Sequence, residues 1–417
     1  MTLRPVGEVQ AEVLDAVSRL NTERRPLADV AGAVLAESVV ASDDVPPFAN
    51  TAMDGYAVRA QDTASATEQT PTRLDVVGEL PAGRAPTVAV GPGEAIRIMT
   101  GAPMPPGADA IVMVERTERA GADGVAVRAP ARTRDHIRDA GGDVRAGDRV
   151  FEPETVLGPA HIGVLATLGI SEVSVWRRAR VGVLSTGDEL VDGPRPLAPG
   201  EIRDSNRPML LALAAEAGCE PVDLGVARDD EALIVSRLQR GIATCDALLT
   251  SGGVSVGDYD YVKAALDRLG ALVWSQVAIR PAKPLAFGVV GGTPVFGLPG
   301  NPVSSLVSFE LFARPALLKM SGHAARHRPI VAATAAEAMP RRRDGKLHLD
   351  RVHVHLDAAG GYRATRAGAQ ASNALSTMAT ADGLALLADG DGIDAGDTVR
   401  VMLLRPVAPV ATAVSSS

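Results

Sequence analysis

Glycine, serine and aspartate are concentrated in residues 251–260, which directly follow the apolar residues 247–250. A buried strand that runs into a glycine-rich loop leaves a row of free backbone N–H groups, and such a row binds anions, most often phosphate. The same loop carries two carboxylates, Asp258 and Asp260. Carboxylates beside a phosphate cradle indicate a phosphate that is bridged by a metal ion. The loop therefore predicts nucleotide-like or pterin-phosphate chemistry.

Three carboxylates follow predicted strand ends and could share a metal ion. Glu189, Asp229 and Asp260 would repel one another at one sheet edge unless a hard cation lay between them. Magnesium suits oxygen ligands of this kind. Asp229 has an equally good alternative, since residues 229–231 form an acidic helix start. A solvated loop acid is the alternative for Glu189.

Residues 297–304 and the cations before them form a candidate anion site. A strand turns tightly there into a helix, with Asn301 as the predicted N-cap and Pro302 at the first helical position. A well-capped turn explains these two residues without a ligand. It does not explain Arg280 and Lys283, two proline-flanked cations that could hold an oxyanion against the helix start. A solvated basic surface is the alternative.

The remaining polar turns and histidines carry little information by themselves. Residues 50–57, 99–102 and 142–143 each fit an ordinary hairpin connection. His353 and His355 alternate along a predicted strand, and the pattern favours solvent over a metal.

Alternating strands and helices place the candidate loops at one sheet edge. Apolar patterns predict strands at 181–184, 221–226, 247–250 and 294–298, and helices at 207–217, 230–240, 261–269 and 302–320. This alternation predicts a doubly wound, mostly parallel sheet, whose ligands bind at the carboxyl ends of its strands. All three candidate loops follow such ends, so we expect them to form one site.

The flanking regions are predicted to be β-rich apart from an opening helix at 8–20. Short Val and Ile segments, cut by Gly and Pro, continue to about residue 142 and are typical of a β-rich domain. After residue 323, strands at 348–356, 383–387 and 399–404 predict a small barrel or sandwich, followed by a frayed tail from 408.

Composition and charge exclude several classes of protein. A chain of 417 residues with 46% hydrophobic and 22% charged residues is typical of a soluble multidomain protein. The net charge of −8 argues against nucleic acid as a partner. Cys219 and Cys245 form neither a disulfide framework nor a metal-ligand spacing. No leader is recognised and the longest apolar run, 209–215, is too short for a bilayer, so we expect a cytoplasmic protein without a membrane partner.

Seven motifs together resemble the molybdopterin molybdenumtransferase family, which is related to the E domain of gephyrin. In chain order they read Asn-Thr-Ala-Met-Asp-Gly-Tyr-Ala, Met-Thr-Gly-Ala-Pro, Ser-Thr-Gly-Asp-Glu-Leu, Asp-Ser-Asn-Arg, Ser-Gly-Gly-Val-Ser-Val-Gly-Asp-Tyr-Asp, Pro-Ala-Lys-Pro and Gly-Leu-Pro-Gly-Asn-Pro-Val-Ser. The resemblance covers nearly the whole chain. Each motif alone is weak, but seven in family order are highly specific.

The resemblance implies an α/β multidomain fold that forms a homodimer. Residues 1–25 and 144–178 would form a discontinuous helical dimerisation domain, 26–143 a β-rich inserted domain, 179–325 the doubly wound molybdopterin-binding domain and 326–408 a C-terminal β-barrel, with 409–417 as a tail.

The implied activity is the transfer of molybdenum from molybdate to adenylylated molybdopterin, with magnesium-assisted hydrolysis of the adenylate and release of AMP. A molybdopterin adenylyltransferase would supply the substrate, and molybdoenzymes or their chaperones would receive the product. The adenylyltransferase reaction itself is disfavoured, because that family has Gly-Gly-Thr-Gly where this loop has Gly-Gly-Val-Ser. A non-catalytic scaffold is disfavoured because the acidic and cationic loops are retained.

The resemblance assigns site residues position by position. Catalytic residues would be Asp229, Asp260 and Glu189, together with Asp54, Thr100 and Asp143 from the β-rich domain of the other subunit. Cofactor-binding residues would be Ser251, Gly252, Gly253, Ser255, Gly257, Asn206, Pro299, Gly300 and Asn301. Asp229 and Asp260 would hold magnesium, and Arg280, Lys283, Ser304, Arg351 and Ser372 would hold molybdate. The family usually has lysine at the position of Arg280, whose planar guanidinium changes the local geometry.

Overall fold

The computed structural model describes residues 2–252, 264–265, 268 and 272–407. The chain forms two compact units. The larger comprises Met1–Arg24, Gly32–Ala36 and Ser174–Ser417, and the smaller comprises Arg25–Ala31 and Glu37–Val173. The finer division into four domains stays a prediction.

A seven-stranded sheet forms the centre of the larger unit. In spatial order its strands are Leu3–Arg4, Val273–Val277, Pro284–Val290, Thr293–Leu298, Ala247–Ser251, Arg180–Thr186 and Glu220–Ala227. Among these strands, Pro284–Val290 alone runs antiparallel to its neighbours. The predicted mostly parallel sheet is therefore confirmed.

Helices cover both faces of this sheet. One face carries Val6–Ala16, Asn206–Glu216, Pro302–Ser308, the π-helical turn Phe309–Ala313 and Arg314–Met320, and the other carries Glu231–Thr244. Successive strand residues point to opposite faces, so Val183 lies in one hydrophobic core and Leu184 in the other. The predicted helix at 302–320 is present as three consecutive segments, whereas the one at 261–269 falls mainly outside the described residues.

A closed five-stranded barrel forms the C-terminal part of the larger unit. Its strands, in order around the barrel, are Leu347–Leu356, Tyr362–Arg366, Ile330–Ala335, Thr398–Leu403 and Gly383–Leu387, and the last pairs with the first. The short strand Ile279–Arg280 pairs in parallel with the start of Leu347–Leu356. Arg280 is thereby attached to the barrel, although the strand Pro284–Val290 that follows it belongs to the α/β sheet.

The smaller unit is β-rich, as the sequence predicts. Its six-stranded sheet has the spatial order Ala110–Met113, Gly55–Val58, Glu94–Ile98, Thr72–Leu80, Gly124–Val127 and Thr117–Arg119. Two short pairs join Asn50–Thr51 to Ile137–Arg138 and Val39–Val40 to Arg149–Phe151. The unit also contains the helix Pro159–Thr167.

Short elements complete the described chain. They are the strands Thr22–Pro26, Glu172–Trp176, Leu190–Val191, Ile202–Arg203, Met339–Pro340 and Gly392–Ile393, the helix Leu375–Thr380, and the 3-10 turns Leu27–Asp29, Ala60–Thr63 and Val114–Arg116. None of the helices in the described ranges has the length and apolar character that a membrane crossing requires.

Candidate functional site

Polar side chains meet at the carboxyl ends of three neighbouring parallel strands. Ser185 is paired with Ser251, and Ser251 with Leu298, across these strands. Ser185 and Ser251 are both buried. The ends of the three strands therefore lie together, as the strand–helix alternation predicts.

Asn206, the first residue of the helix Asn206–Glu216, connects these strand ends. Its buried Nδ2 donates to Ser251 Oγ at 2.7 Å and to the carbonyl oxygen of Gly300 at 2.6 Å. Its Oδ1 is also buried and accepts no hydrogen bond from the described residues. A buried polar atom without a partner costs about 1–3 kcal/mol. This oxygen is therefore a candidate acceptor for a donor group of a ligand.

Asp204, two residues earlier, anchors the start of the same helix. Its carboxylate accepts hydrogen bonds from Ser185 Oγ at 3.0 Å and from Arg207 Nε at 3.1 Å. The Asp204 side chain is only 1% exposed. In the Asp-Ser-Asn-Arg motif, the first and last residues thus have a structural function, which leaves Asn206 for a ligand.

Gly252 begins the glycine-rich loop in a conformation that requires glycine. Its φ is +93°, and a Cβ at this position would lie 2.7 Å from the carbonyl oxygen of Thr186. Gly300 lies next to it, but a Cβ there would come no closer than 3.8 Å to the Gly252 Cα. The predicted loop residues Gly253, Ser255, Gly257, Asp258 and Asp260 lie outside the described residues.

Gly252→Ala is expected to lower the free energy of unfolding by about 1–3 kcal/mol, because it combines a left-handed backbone with a backbone clash. Gly300→Ala is the matched control, since its new methyl group would make only an ordinary contact. We expect it to change stability by less than about 0.5 kcal/mol. Urea unfolding measures both variants, and equal stabilities would contradict this interpretation of Gly252.

Pro299 and Asn301 frame the turn into the next helix. Pro299 is buried, and Asn301 is the N-cap of Pro302–Ser308, as predicted. The Asn301 side chain forms no capping hydrogen bond, however, and it is exposed. Its amide is therefore available to a ligand at the same strand end.

Glu189 and Asp229 lie on exposed loops that one hydrogen bond connects. Asp188 Oδ1 accepts the backbone N–H of Asp229 at 3.2 Å. The carboxylate of Glu189 folds over Gly187, where a Cβ would lie 2.5 Å from Glu189 Oε2. Asp188 is a candidate residue that the sequence interpretation missed, although it directly precedes Glu189 in the same motif.

Helix capping, the alternative role predicted for Asp229, is performed by its neighbour instead. Asp230 is the N-cap of the helix Glu231–Thr244, and its Oδ1 accepts the backbone N–H of Leu233 at 2.8 Å. The side chain of Asp229 is exposed and is not needed for the cap. Both of its carboxylate oxygens can therefore serve a ligand.

Within the described ranges, no three His, Cys, Asp or Glu side chains lie close enough to hold a metal ion. The predicted trio cannot be assembled there, because Asp260 lies outside these ranges. The exposed carboxylates of Asp188 and Asp229 remain on adjoining loops. They fit magnesium, which proteins commonly hold through one or two carboxylates together with water and substrate phosphates.

A second polar region lies between the α/β sheet and the barrel, and we call it the cationic cavity. It measures about 470 Å³. Its polar lining consists of Arg280, Lys283, Ser304, Lys346, Gln370 and Ser372. Four of the five residues predicted to contact molybdate thus share one cavity, together with Lys346 and Gln370, which the sequence interpretation missed.

Backbone contacts explain how distant parts of the chain reach this cavity. Arg280 is paired with His348 at the start of a barrel strand. Ser304 lies in the first turn of Pro302–Ser308, and the N–H of its neighbour Val303 donates to the carbonyl oxygen of Ser372 at 3.1 Å. The sheet, the helix and the barrel each contribute a wall.

Arg351, the fifth predicted residue, is fully buried and is not among the residues that line this cavity. Its Nη2 donates to the carbonyl oxygens of Ala369 at 2.7 Å and Ala371 at 3.2 Å, so it fixes the loop that carries Ser372. Its Nε and Nη1 have no partner among the described residues. Burial lowers the pKa of this guanidinium, which nevertheless stays charged at neutral pH. Direct contact with molybdate stays a prediction.

Asp54 and Thr100 form a pair in the smaller unit. The N–H and Oγ1 of Thr100 donate to Asp54 Oδ1 at 2.7 and 2.6 Å. These bonds lower the pKa of the Asp54 carboxyl. Asp143 is exposed on a separate turn, where its N–H donates to the Val45 carbonyl. The assignment of these three residues to the site of another subunit stays a prediction.

Three family models match successive parts of the chain. Residues 4–169 match the MoeA N-terminal region (domain I and II), 182–319 a probable molybdopterin binding domain, and 333–404 the MoeA C-terminal region (domain IV). The fold and the site thus define a protein of molybdenum cofactor biosynthesis.

Relatives match over nearly the whole length. The chain is 43% identical over 390 residues to molybdopterin molybdenumtransferase 2 of Mycobacterium tuberculosis, covering 92% of this chain and 95% of the relative. It is 36% identical over 382 residues to the Haemophilus influenzae molybdopterin molybdenumtransferase, covering 91% and 93%. The crystal structure of the Pyrococcus horikoshii molybdopterin biosynthesis MoeA protein has a TM-score of 0.80 and 31% identity, covering 96% and 100%. The chain belongs to the molybdopterin molybdenumtransferase family and is a transferase, which confirms the resemblance of the seven motifs.

Proposed function

We propose that this chain inserts molybdenum from molybdate into adenylylated molybdopterin, with hydrolysis of the adenylate and release of AMP. The observation that supports the proposal is the closeness, in one unit, of two regions whose polar groups suit an anion. Gly300 belongs to the strand-end site through Asn206, and Ser304 lines the cationic cavity. Four residues of chain span at most about 14 Å even when fully extended. Two substrates bound at these regions would be close enough to react, and much of the catalysis would be positioning.

At the strand ends, the chain would bind the adenylate phosphates. The loop that begins at Gly252 would supply backbone N–H groups. The Oδ1 of Asn206, which has no partner among the described residues, would accept a hydrogen bond from the ligand. Asp188 and Asp229, with Asp260, would hold magnesium, and Glu189 would support them. Magnesium bound there would neutralise the charge that develops on phosphate as the pyrophosphate bond breaks.

In the cationic cavity, the chain would orient molybdate. Arg280 and Lys283 would donate charge-assisted hydrogen bonds to the dianion, which are stronger than bonds between neutral groups. The hydroxyl groups of Ser304 and Ser372 would donate further bonds and fix its orientation. Arg351 would keep the Ser372 loop in place through its bonds to Ala369 and Ala371.

Assembly and partners complete the proposal, and the family membership of the chain supports them. The chain would form a homodimer, in which Asp54, Thr100 and Asp143 of one subunit reach the site of the other. A molybdopterin adenylyltransferase would supply the substrate, and molybdoenzymes or their chaperones would receive the product. The reaction would take place in the cytoplasm.

The test is molybdate-dependent release of AMP. The purified chain is incubated with adenylylated molybdopterin and magnesium, with and without molybdate, and AMP is quantified by chromatography. We expect one AMP per molybdenum bound to the pterin. Equal AMP release with and without molybdate would contradict molybdenum insertion. Complete absence of AMP release would favour a non-catalytic scaffold. A parallel incubation with ATP and molybdopterin tests for adenylyltransferase activity.

A further inference from the structure

Gln370 lines the cationic cavity, but the donors of its amide are already in use. Its Oε1 accepts the backbone N–H of Arg351 at 2.8 Å. Its Nε2 donates to the carbonyl oxygens of Arg351 at 3.1 Å and Gly368 at 3.3 Å. A primary amide has two N–H donors, so none remains for an oxyanion. Gln370 therefore has a role other than direct contact with molybdate.

The bonds to Gln370 complete the end of a strand pair in the barrel. Leu347–Leu356 and Tyr362–Arg366 are antiparallel, and Ala367 continues the pairing, since its N–H donates to the carbonyl oxygen of Arg351 at 2.8 Å. In a regular antiparallel pair, the N–H of Arg351 would donate in return to the carbonyl of Ala367. That N–H donates instead to Gln370, whose side chain replaces a backbone carbonyl.

Gly368 explains why the backbone leaves the strand pair at this point. Its φ of +58° is in the left-handed region, and so it turns the chain away directly after Ala367. Arg351 is fully buried, and a buried backbone N–H without a partner is costly. The amide of Gln370 supplies that partner from further along the chain.

The contacts are reciprocal, because the side chain of Arg351 also binds the loop. Its Nη2 donates to the carbonyl oxygens of Ala369 and Ala371, which are the two neighbours of Gln370. Residues 368–372, the Ser372 loop, are thus attached to one barrel residue by side chains in both directions. Removing either side chain would release the loop from the barrel strand.

We propose that Gln370 is a positioning residue for the molybdate site, which acts through the Ser372 loop and not by contact with the anion. Ser372 lines the cationic cavity, and its carbonyl oxygen accepts the N–H of Val303 at 3.1 Å. Ser304, the residue after Val303, lines the same cavity. Gln370 thereby sets the distance between two hydroxyl groups, one from the barrel and one from the helix. The proposal rests on the proposed function in taking this cavity as the molybdate site.

The first experiment is a double-mutant cycle on molybdate affinity, measured by calorimetric titration of the full chain. Gln370→Ala and Ser372→Ala should each weaken molybdate binding about ten-fold, which is the effect of one lost charge-assisted hydrogen bond. Because Gln370 acts through Ser372, the double variant should also bind only about ten-fold more weakly than the wild type. Weakening of about 100-fold would indicate independent contacts and overturn the proposal. An unchanged affinity in Gln370→Ala would also overturn it.

Asp357→Ala is the matched control for a general loss of barrel stability. Asp357 Oδ1 accepts the backbone N–H groups of Ala359 and Gly361, both at 2.9 Å, in the turn between the same two barrel strands. The control thus loses side-chain bonds to the barrel backbone, as Gln370→Ala does, but Asp357 does not line the cationic cavity. Its molybdate affinity should equal that of the wild type. Equal weakening in the two variants would overturn the positioning role.

The second experiment does not depend on molybdate binding. Gln370→Ala should speed hydrogen exchange at the N–H of Val303 about ten-fold or more, because the Ser372 carbonyl that accepts it is no longer held in place. Mass spectrometry of the peptide that carries Val303 measures the rate, which should not change in Asp357→Ala. An unchanged rate in Gln370→Ala would overturn the proposal. Absence of molybdate binding by the wild type would instead contradict the proposed function, so the two failures are distinguishable.

Discussion

Asp229→Asn is expected to reduce AMP release at least about 100-fold while the protein remains folded. The substitution keeps the shape of the side chain but removes the negative charge that would hold magnesium beside the adenylate. Asp229 is exposed and does not cap the following helix, so the fold does not depend on this charge. Initial rates at increasing magnesium concentration measure the effect, and a thermal melt checks the fold.

The next residue provides the matched control. Asp230 caps the helix Glu231–Thr244 through Leu233, and asparagine caps as well as aspartate does. Asp230→Asn should therefore keep both stability and AMP release close to the wild type. Equal loss of activity in the two variants would show that charge at the helix start matters, and not a ligand at Asp229.

Asp260→Ala should also abolish AMP release, and undiminished release would remove Asp260 from the mechanism.

Lys283→Ala is expected to raise the molybdate concentration for half-maximal AMP release about 10- to 100-fold, which is the effect of losing one charge-assisted hydrogen bond. Lys283 lines the cationic cavity and is exposed to it, so its removal leaves the packing unchanged. The rate at saturating molybdate should fall much less than the apparent affinity. Rates measured over a molybdate series separate the two quantities.

Two further variants define what Lys283 contributes. Lys283→Arg keeps the charge but changes its shape, so it should recover part of the affinity. Arg343→Gln removes a cation outside the cavity and should leave the molybdate dependence unchanged. A molybdate dependence that is the same in Lys283→Ala and the wild type would exclude this residue from the oxyanion site.

Much of the fold could be predicted from the sequence, because many strands and helices are bounded by Gly, Pro or capping residues that are recognised locally. The strand predicted at 383–387 has the observed bounds Gly383–Leu387. The reversed strand Pro284–Val290 was missed, although Gly291 and Gly292 between two apolar runs are a recognised hairpin signal. The two-residue strand Leu3–Arg4 was also missed, since only its tertiary pairing with Val273–Val277 defines it.

The candidate site is less predictable, because its members come together through long-range pairing. Lys346 directly precedes the barrel strand Leu347–Leu356, and it lines the cationic cavity because this strand pairs with Ile279–Arg280. No local sequence pattern predicts a contact between such distant segments. Asp188 belongs to a recognised motif, but only its hydrogen bond from the backbone N–H of Asp229 identifies it as a candidate site residue. The burial of Arg351 behind its loop is likewise a property of packing, which residue type alone does not reveal.

The short segment from Arg280 to Lys283 has a mechanical consequence. Arg280 is hydrogen-bonded into the barrel, whereas the carbonyl of Lys283 accepts the N–H of Val277 within the α/β sheet at 2.7 Å. Two residues, Pro281 and Ala282, therefore separate a cation that is fixed to the barrel from a cation that is fixed to the sheet. Any rotation of the barrel relative to the sheet would change the distance between these two cations. The proposed affinity for an oxyanion would thereby depend on how the barrel packs against the sheet.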